Sequence, residues 1–441
     1  MAENEAKKVI HADPTKDFFV NMITRDIALE DCIFDLLDNS IDGARRALGA
    51  DAESFAGYEV RLNFDASQFV IEDNCGGIRL NDAIHYAFHF GRRPDQENDV
   101  GGGIGLYGIG MKRAIFKIGK CVEVLSHADD ASFLVKVNVE EWAKRADWDF
   151  DYEDVTPVGV KGTRIGITSL NAGIDRSLGD KAFLNGLSKL IARDYSFFIA
   201  KGFRILVGGN PIHSLSYQLR SNSELAPFVD EYEDDGVQVR IVAGLIDELS
   251  DDIPEDLAPK DVERYGWYVV CNDRVVLAAD KTTDTIWGDD GYRVWHPQYN
   301  GFAGFLFFRA NDQRKLPWTT TKRELDASSQ LYRRSLAKLK RITDDFAKYT
   351  NVRKDDLEAA RSAEKPSAQL DVFQMIKPQP LKLPTLVRTS AAPSAPPANI
   401  NYKRKVSEIK LIRDHLNNQM MSYREIGEYT FDYFMRMELG K

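Results

Sequence analysis

Cysteine is scarce in this chain, and long apolar runs are missing from it. The four cysteines among 441 residues show no paired spacing. This argues against a disulfide scaffold and a cysteine zinc cluster, and it favours a reducing compartment. No run of about 18 apolar residues exists, so we predict no membrane span. The first residues also lack the apolar core of a signal peptide, and we therefore expect a cytoplasmic protein without a membrane partner.

Positive charge is also in deficit. Lysine and arginine number 58 against 68 aspartates and glutamates, which gives a formal net charge of −10. A chain of this charge is not a generic polyanion binder, although a local basic patch remains open. At about 150 residues per domain, the length predicts two or three domains. The 43% hydrophobic and 29% charged content is that of a globular protein.

The composition changes along the chain and predicts four zones. Residues 1–200 mix helical and strand patterns with glycine-rich loops, and residues 201–350 have the pattern of a second α/β unit. Residues 351–401 contain seven of the 16 prolines, which predicts a flexible linker. Residues 402–441 regain apolar periodicity and aromatic residues, which indicates a small helical element.

A helix with two different faces is predicted over residues 23–48. Its apolar stripe consists of Ile33, Leu37, Ile41 and Ala44. Asp35, Asn39 and Asp42 share the opposite side because they are spaced four and three residues apart. One interpretation is an ordinary solvated face. The other is a ligand site, in which an Asn carbonyl completes a Mg²⁺ shell and a carboxylate one turn away orients or deprotonates a water.

A predicted strand ends in Asp73 and is followed by Gly76 and Gly77. The glycines alone are explained by a tight turn that needs positive φ. Alternatively, Asp73 accepts a hydrogen bond from a ligand amino group, and the glycines let a ligand ring approach the backbone.

A glycine-rich loop precedes an amphipathic helix near residue 110. Gly105, Gly108 and Gly110 follow the order G-x-x-G-x-G, which is neither the P-loop nor the dinucleotide fingerprint. Backbone N–H groups at a helix start bind phosphate, and Lys112 would add charge. A flexible loop is the alternative interpretation. Further along, Gly162 and Thr163 open another predicted strand.

These four signals, in this order and spacing, resemble the GHKL ATPase superfamily, which includes gyrase ATPase subunits, heat-shock chaperones, sensor histidine kinases and MutL. The resemblance is strong over residues 18–170 and extends more weakly to about 350. It implies an α+β fold, in which an ATP-binding α/β sandwich of the Bergerat type with a mixed sheet precedes a smaller α/β transducer-like domain, the linker and a short helical C-terminus.

The resemblance also implies roles for individual residues. Asp35 takes the position of the base and Asn39 that of the Mg²⁺ ligand, with Asp42 on the same nucleotide-binding face. Asp73 would read the adenine amino group, with Gly77 and Ile78 beside it. The phosphate loop would comprise Gly105, Gly108, Gly110, Met111 and Lys112, with an ATP lid over residues 91–104. Thr163 belongs to the late G-T motif. ATP and Mg²⁺ are thus the expected cofactors.

Two positions depart from the family pattern. The usual base is Glu, and Asp35 is shorter by one C–C bond, so hydrolysis is expected to be slow or to need lid closure. Cys75 replaces the first glycine of the adenine motif D-x-G-x-G, which puts the local path of the chain in question.

The layout is most similar to prokaryotic MORC-like and MutL-like members, in which a transducer lysine reaches the γ-phosphate. The segment 316–326 resembles that loop and makes Lys322 the candidate, against the alternative of a surface lysine. We hypothesise an ATP-gated homodimer clamp. Duplex DNA is a candidate partner because residues 371–405 carry six basic residues and one acidic residue, 6 − 1 = +5. The alternative is an ATP-sensing scaffold that regulates an effector protein docked on the aromatic C-terminal helix.

Overall fold

The structure is a computed structural model that describes residues 14–49, 52–90, 104–105, 108–157, 159–246, 264–365, 367–375, 377–386 and 400–440. The chain divides into two compact units. The first comprises residues 1–215 together with Ala310–Lys315, and the second comprises Ser216–Arg309 and Leu316–Lys441.

The first unit contains an eight-stranded mixed sheet and eight helices among its described residues. Its helices are α1 (Lys16–Thr24), α2 (Leu29–Leu48), α3 (Leu80–Asp82, continued by a π-turn over Ala83–Ala87), α4 (Gly110–Ile118), α5 (Val139–Lys144), α6 (Ile174–Gly179), α7 (Lys181–Asp194) and α8 (Ser196–Ala200). Its strands are β1 (Glu59–Phe64), β2 (Gln68–Asp73), β3 (Gly119–His127), β4 (Ser132–Asn138), β5 (Tyr152–Asp154), β6 (Gly162–Leu170), β7 (Arg204–Val207) and β8 (Asn210–Pro211).

The order of strands in this sheet is β5-β4-β3-β6-β2-β1-β7-β8. All neighbours are antiparallel except β1 and β7. Alternate residues of the central strands are buried, as expected for a sheet with one covered face. The parallel pairing of β7 with β1 places residues 204–207 in this sheet, so the first unit extends beyond the boundary at residue 200 that we predicted.

The early helical region is divided in two. We predicted one helix over residues 23–48, but α1 ends at Thr24 and α2 begins at Leu29. Ala28, the residue before α2, is extended, with ψ of 155°. Lys117 of α4 donates to the terminal carbonyl of α1 at Thr24, 2.8 Å away. The break is thus stabilised by a contact that periodicity does not report.

The second unit is built around a five-stranded sheet of order β10-β11-β14-β12-β13. Its strands are β9 (Gln218–Ser221), β10 (Phe228–Asp234), β11 (Val237–Leu245), β12 (Gly266–Cys271), β13 (Arg274–Asp280), β14 (Phe302–Arg309) and β15 (Ala368–Asp371), and its helices are α9 (Gln330–Arg353), α10 (Leu357–Glu364), α11 (Val406–His415) and α12 (Tyr423–Leu439). Helix α9 packs on the sheet, since Phe346 contacts Phe302 with 5.0 Å between ring centroids.

Much of the segment predicted as a flexible linker is packed. Strand β15 pairs antiparallel with β9, and residues 379 and 382 form bridges with residues 229 and 226. Arg353, at the end of α9, pairs with the fully buried carboxylate of Glu364 at 2.9 Å. Prolines are compatible with such extended edge segments. The expectation of a linker therefore does not hold for residues 351–386, whereas residues 387–399 lie outside the described part of the chain.

Candidate nucleotide-binding site

The polar face of α2 is present, but its three residues differ in environment. Asn39 is exposed, whereas Asp35 and Asp42 are buried. The carboxylate of Asp42 accepts the backbone N–H of Ile104 at 2.7 Å through Oδ1 and that of Gly105 at 2.7 Å through Oδ2. Asp42 therefore anchors the backbone at the far end of the predicted lid.

The backbone of Gly105 lies close to two side chains of the polar face of α2. A Cβ atom at Gly105 would lie 3.7 Å from Asn39 Oδ1 and 3.1 Å from Asp42 Oδ2. An exposed amide carbonyl beside a bare backbone suits an oxygen ligand of Mg²⁺ completed by phosphates and water. Among the described residues, no group of three or more His, Cys, Asp and Glu side chains could hold a metal.

Three donors orient the carboxylate of Asp73 at the end of β2. Oδ1 accepts the backbone N–H of Cys75 at 2.9 Å and that of Thr163 at 3.2 Å, and Oδ2 accepts the hydroxyl of Ser40 at 2.7 Å. Burial raises the pKa of Asp73, and these hydrogen bonds oppose the shift without cancelling it. Ser40 was not singled out by the sequence, although it adjoins Asn39.

The loop after Asp73 is held against the end of β3. Gly77 has φ of +73°, and a Cβ atom there would lie 2.7 Å from the carbonyl carbon of His127 and closer still to its oxygen. Ser126, which is fully buried, accepts from the Ile78 N–H at 2.7 Å and donates to the Ile78 carbonyl at 2.9 Å. The sequence pointed to Gly77 and Ile78 but missed Ser126, whose partner is 48 residues away.

Cys75 fits the site without a glycine. Its φ is not positive, whereas Gly76 and Gly77 have φ of +93° and +73°. The residue is buried against Gly43 of α2, where a Cβ atom would lie 2.8 Å from the Cys75 carbonyl oxygen. The left-handed conformations thus fall on Gly76 and Gly77 and not on residue 75, and a glycine in the facing helix makes room for the Cys75 backbone.

The glycine loop leads directly into α4. Gly108 has φ of +65°, and α4 begins at Gly110. A Cβ atom at Gly110 would lie 3.0 Å from Asp35 Cγ, so this glycine lets the first turn of α4 approach the predicted base. The start of α4 and the polar face of α2 therefore lie side by side, as the phosphate-binding prediction requires.

Lys112 and Met111 are both buried in the first turn of α4. The Lys112 ammonium donates to the carbonyl oxygens of Ala87, at 2.8 Å, and of Gly108. It thereby ties together the backbone on the two sides of the predicted lid. These contacts give Lys112 a structural role, and its predicted contact with phosphate stays a prediction.

The predicted base Asp35 lies in an ion pair. Arg113 of α4 approaches Asp35 Oδ2 with Nη2 at 2.5 Å and with Nε at 3.2 Å. Both side chains are nearly inaccessible, at 6% and 9% relative exposure for Asp35 and Arg113. The sequence did not indicate this partner.

The remaining predicted elements are placed less directly. Lys322 belongs to the second unit, has φ of +57° and is buried. The first unit includes Ala310–Lys315, a segment that carries another lysine, Lys315. Of the predicted lid over 91–104, only residue 104 is within the described part of the chain.

An oriented carboxylate at a strand end, a glycine loop opening a helix and an exposed Asn thus lie together in the first unit. Residues 27–165, which are 139 of the 441 residues, match the family model described as Histidine kinase-, DNA gyrase B-, and HSP90-like ATPase. The match places this domain in the GHKL ATPase superfamily, whose members bind ATP, and it confirms the predicted fold class. No curated protein matches the chain.

Among the helices that the structure describes, none combines the length and apolar character needed to cross a bilayer.

Proposed function

We propose that this chain binds Mg²⁺–ATP in its first unit and hydrolyses it. The observation that carries the proposal is the meeting of three segments: the polar face of α2, the start of α4 and the Asp73 loop. Residues far apart in sequence converge there, as the bonds from Ser40 and Thr163 to Asp73 show.

Each segment has a distinct task in this proposal. Asp73 accepts a hydrogen bond from the adenine amino group, and Gly77 lets the base lie close to the backbone. The N–H groups at the start of α4 bind phosphate oxygens. Asn39 would hold Mg²⁺, which supplies positive charge to the phosphates. Asp35 positions the attacking water.

Turnover by matched variants tests this function. We expect the wild-type protein to release phosphate from ATP with Mg²⁺ and not with EDTA. Asp35→Asn should abolish turnover while ADP still binds, whereas Asp73→Asn should weaken ADP binding. Binding of ADP that is unchanged by Asp73→Asn would contradict the assignment of the adenine site.

ATP-dependent dimerisation is the proposed mechanical consequence of binding. We propose that a lysine following β14 senses the γ-phosphate, which would make the position of the second unit depend on that phosphate. Lys322 was predicted for this role. Lys315 is a second candidate, because Ala310–Lys315 groups with the first unit.

Two lysine variants separate these candidates. If Lys315 is the sensor, Lys315→Gln should reduce turnover and abolish dimerisation by a non-hydrolysable ATP analogue in light scattering. Lys322→Gln should leave both unchanged. The opposite pattern would assign the sensor role to Lys322. A wild-type protein that stays monomeric with the analogue would refute the clamp.

An ATP-sensing scaffold with little turnover is the second candidate function. Two observations favour it: the short Asp35 stands at the position where the resemblance expects Glu, and the second half of α12 exposes large apolar side chains, including Phe431, Phe434 and Met437. Nucleotide binding without turnover, together with capture of an effector that is lost on Phe434→Asp, would support the scaffold over the clamp.

Duplex DNA is the proposed object of the clamp. The basic residues of 371–405 favour it, although Lys382 in this segment donates to the carbonyl of Ser223 and is thereby engaged within its own unit. DNA that stimulates turnover at low salt and loses this effect at high salt would support the proposal. Turnover that is indifferent to DNA would remove DNA from it.

A further inference from the structure

The buried pair between Asp35 and Arg113 joins the two helices of the nucleotide site. Asp35 lies in the second turn of α2 and Arg113 in the first turn of α4, 78 residues later. An unpaired buried carboxylate is costly, so each group stabilises the other in this interior position. The pair is therefore a built part of the site and not a surface contact.

The geometry of the pair restricts how Asp35 can move. Nε and Nη2 of Arg113 both converge on Oδ2 of Asp35, at 3.2 and 2.5 Å. Gly110, one turn before Arg113, leaves its missing Cβ position only 3.0 Å from Asp35 Cγ. The carboxylate is thus bound through Oδ2 by the guanidinium and lies close to the start of α4, which restricts its position.

Direct binding of a nucleotide phosphate by Arg113 does not fit this arrangement. Only 9% of the arginine side chain is exposed, and its Nε and Nη2 groups are directed at Asp35. Lys117 is a second cation on α4, and its ammonium donates to the carbonyl of Thr24 at the end of α1. It therefore serves as a control for Arg113.

We propose that Arg113 is a positioning residue for ATP hydrolysis, acting through Asp35. Arg113 holds the Asp35 carboxylate in the orientation from which this carboxylate contacts the attacking water. A Glu side chain is longer and would reach the water without this help. The inference rests on the proposed ATPase function. It assigns Arg113 an effect on turnover and none on nucleotide affinity.

The test compares Arg113→Gln, Arg113→Lys, Asp35→Asn and the control Lys117→Gln in the full chain. Phosphate release gives kcat and KM, calorimetry gives the Kd for ADP, and thermal unfolding reports folding. Arg113→Gln should lower kcat at least about tenfold, since small displacements of a positioned group cost rates of this order or more. The Kd for ADP should stay within about threefold of the wild-type value, below half the free energy of a tenfold change.

The two lysine-containing comparisons make the result specific. Arg113→Lys keeps the buried positive charge, should fold even if Arg113→Gln does not, and should recover most of the lost kcat. Lys117→Gln removes a positive charge from the same helix and should change kcat by less than about twofold, as expected of a change away from the reacting groups.

The outcomes separate this inference from the proposed function. If the wild type hydrolyses ATP, Asp35→Asn is inactive and Arg113→Gln matches the wild type, the role of Arg113 is refuted and the ATPase stands. A parallel loss of ADP affinity in both Arg113 variants, or a rise in kcat, also refutes it. If the wild type shows no turnover, the proposed function fails and the Arg113 role fails with it. If Asp35→Asn retains turnover, ATP hydrolysis stands, but the roles of Asp35 and of Arg113 are both refuted.

Discussion

Replacement of Gly77 by alanine should weaken nucleotide binding by displacing the loop that follows Asp73. Gly77 has φ of +73°, and a Cβ atom there would lie 2.7 Å from the carbonyl carbon of His127. The left-handed conformation costs a residue with a Cβ atom about 1–2 kcal/mol. The clash adds to this cost, because backbone must move by about 1 Å in a close-packed region.

A matched control isolates the clash. Gly76 also has positive φ, +93°, but the nearest atom to its Cβ position is the Ala47 side chain at 4.0 Å. Gly76→Ala should therefore incur the conformational cost without the collision. The difference between the two variants measures the close approach of the loop to β3.

The expected magnitude follows from the bonds that the movement breaks. Shifting Gly77 away from His127 separates Ile78 from Ser126 and loses two hydrogen bonds, each worth about 1 kcal/mol. With residual strain added, we expect Gly77→Ala to destabilise the binding conformation of the loop by about 3 kcal/mol more than Gly76→Ala does. If that energy is needed to re-form the binding conformation, the Kd for ADP of Gly77→Ala is about 100-fold higher than that of Gly76→Ala.

Calorimetric titration with ADP and thermal unfolding of both variants make the measurement. We expect Gly76→Ala to weaken ADP binding by no more than about 30-fold, the equivalent of a conformational cost of about 2 kcal/mol. Equal Kd values for the two variants would refute the reasoning, because the contact with His127 would then contribute nothing to the site.

Three further predictions concern charged groups. Burial raises the pKa of Asp73 above its ordinary 3.8, so the folded state holds this proton more tightly than the unfolded state does. The contribution of Asp73 to the free energy of unfolding should therefore fall as the pH rises above 3.8. Denaturant unfolding of the wild type and of Asp73→Asn at several pH values should show this difference. Lys112→Gln should lower the free energy of unfolding by about 2–3 kcal/mol, measured in urea, because two backbone carbonyls lose a buried cation. Glu364→Gln should cost about 3–5 kcal/mol in the same assay by leaving the buried Arg353 without its carboxylate, and a loss below 1 kcal/mol would contradict that ion pair.

Local sequence patterns carried much of the information about the site. Spacings of four and three residues place Asp35, Asn39 and Asp42 on one side of α2, since helical periodicity alone decides which residues share a face. Glycines at Gly77 and Gly108 correspond to positive φ, which is a local property of the backbone. The fold class followed from the order of these motifs, and the family match confirms it.

Local patterns also misled where a residue type had more than one use. The prolines of residues 351–386 indicated a linker, yet Gln379, which lies between two prolines, forms a bridge with Val229 about 150 residues away, because extended chain with prolines also serves at a sheet edge. Lys112 follows a phosphate-type loop, but its ammonium binds two backbone carbonyls. In both cases the observed role depends on contacts with other segments of the chain, which sequence periodicity does not report.

The sequence by itself determined which residues share one side of α2 and where the backbone turns, because spacing and glycine conformation are properties of short segments. Tertiary structure alone decided which side chains pair inside that site. Ser40 with Asp73, Ser126 with Ile78 and Arg113 with Asp35 are separated by 33, 48 and 78 residues. Such pairs form only when packing of α2, α4 and the sheet removes them from water, and no periodicity records that approach.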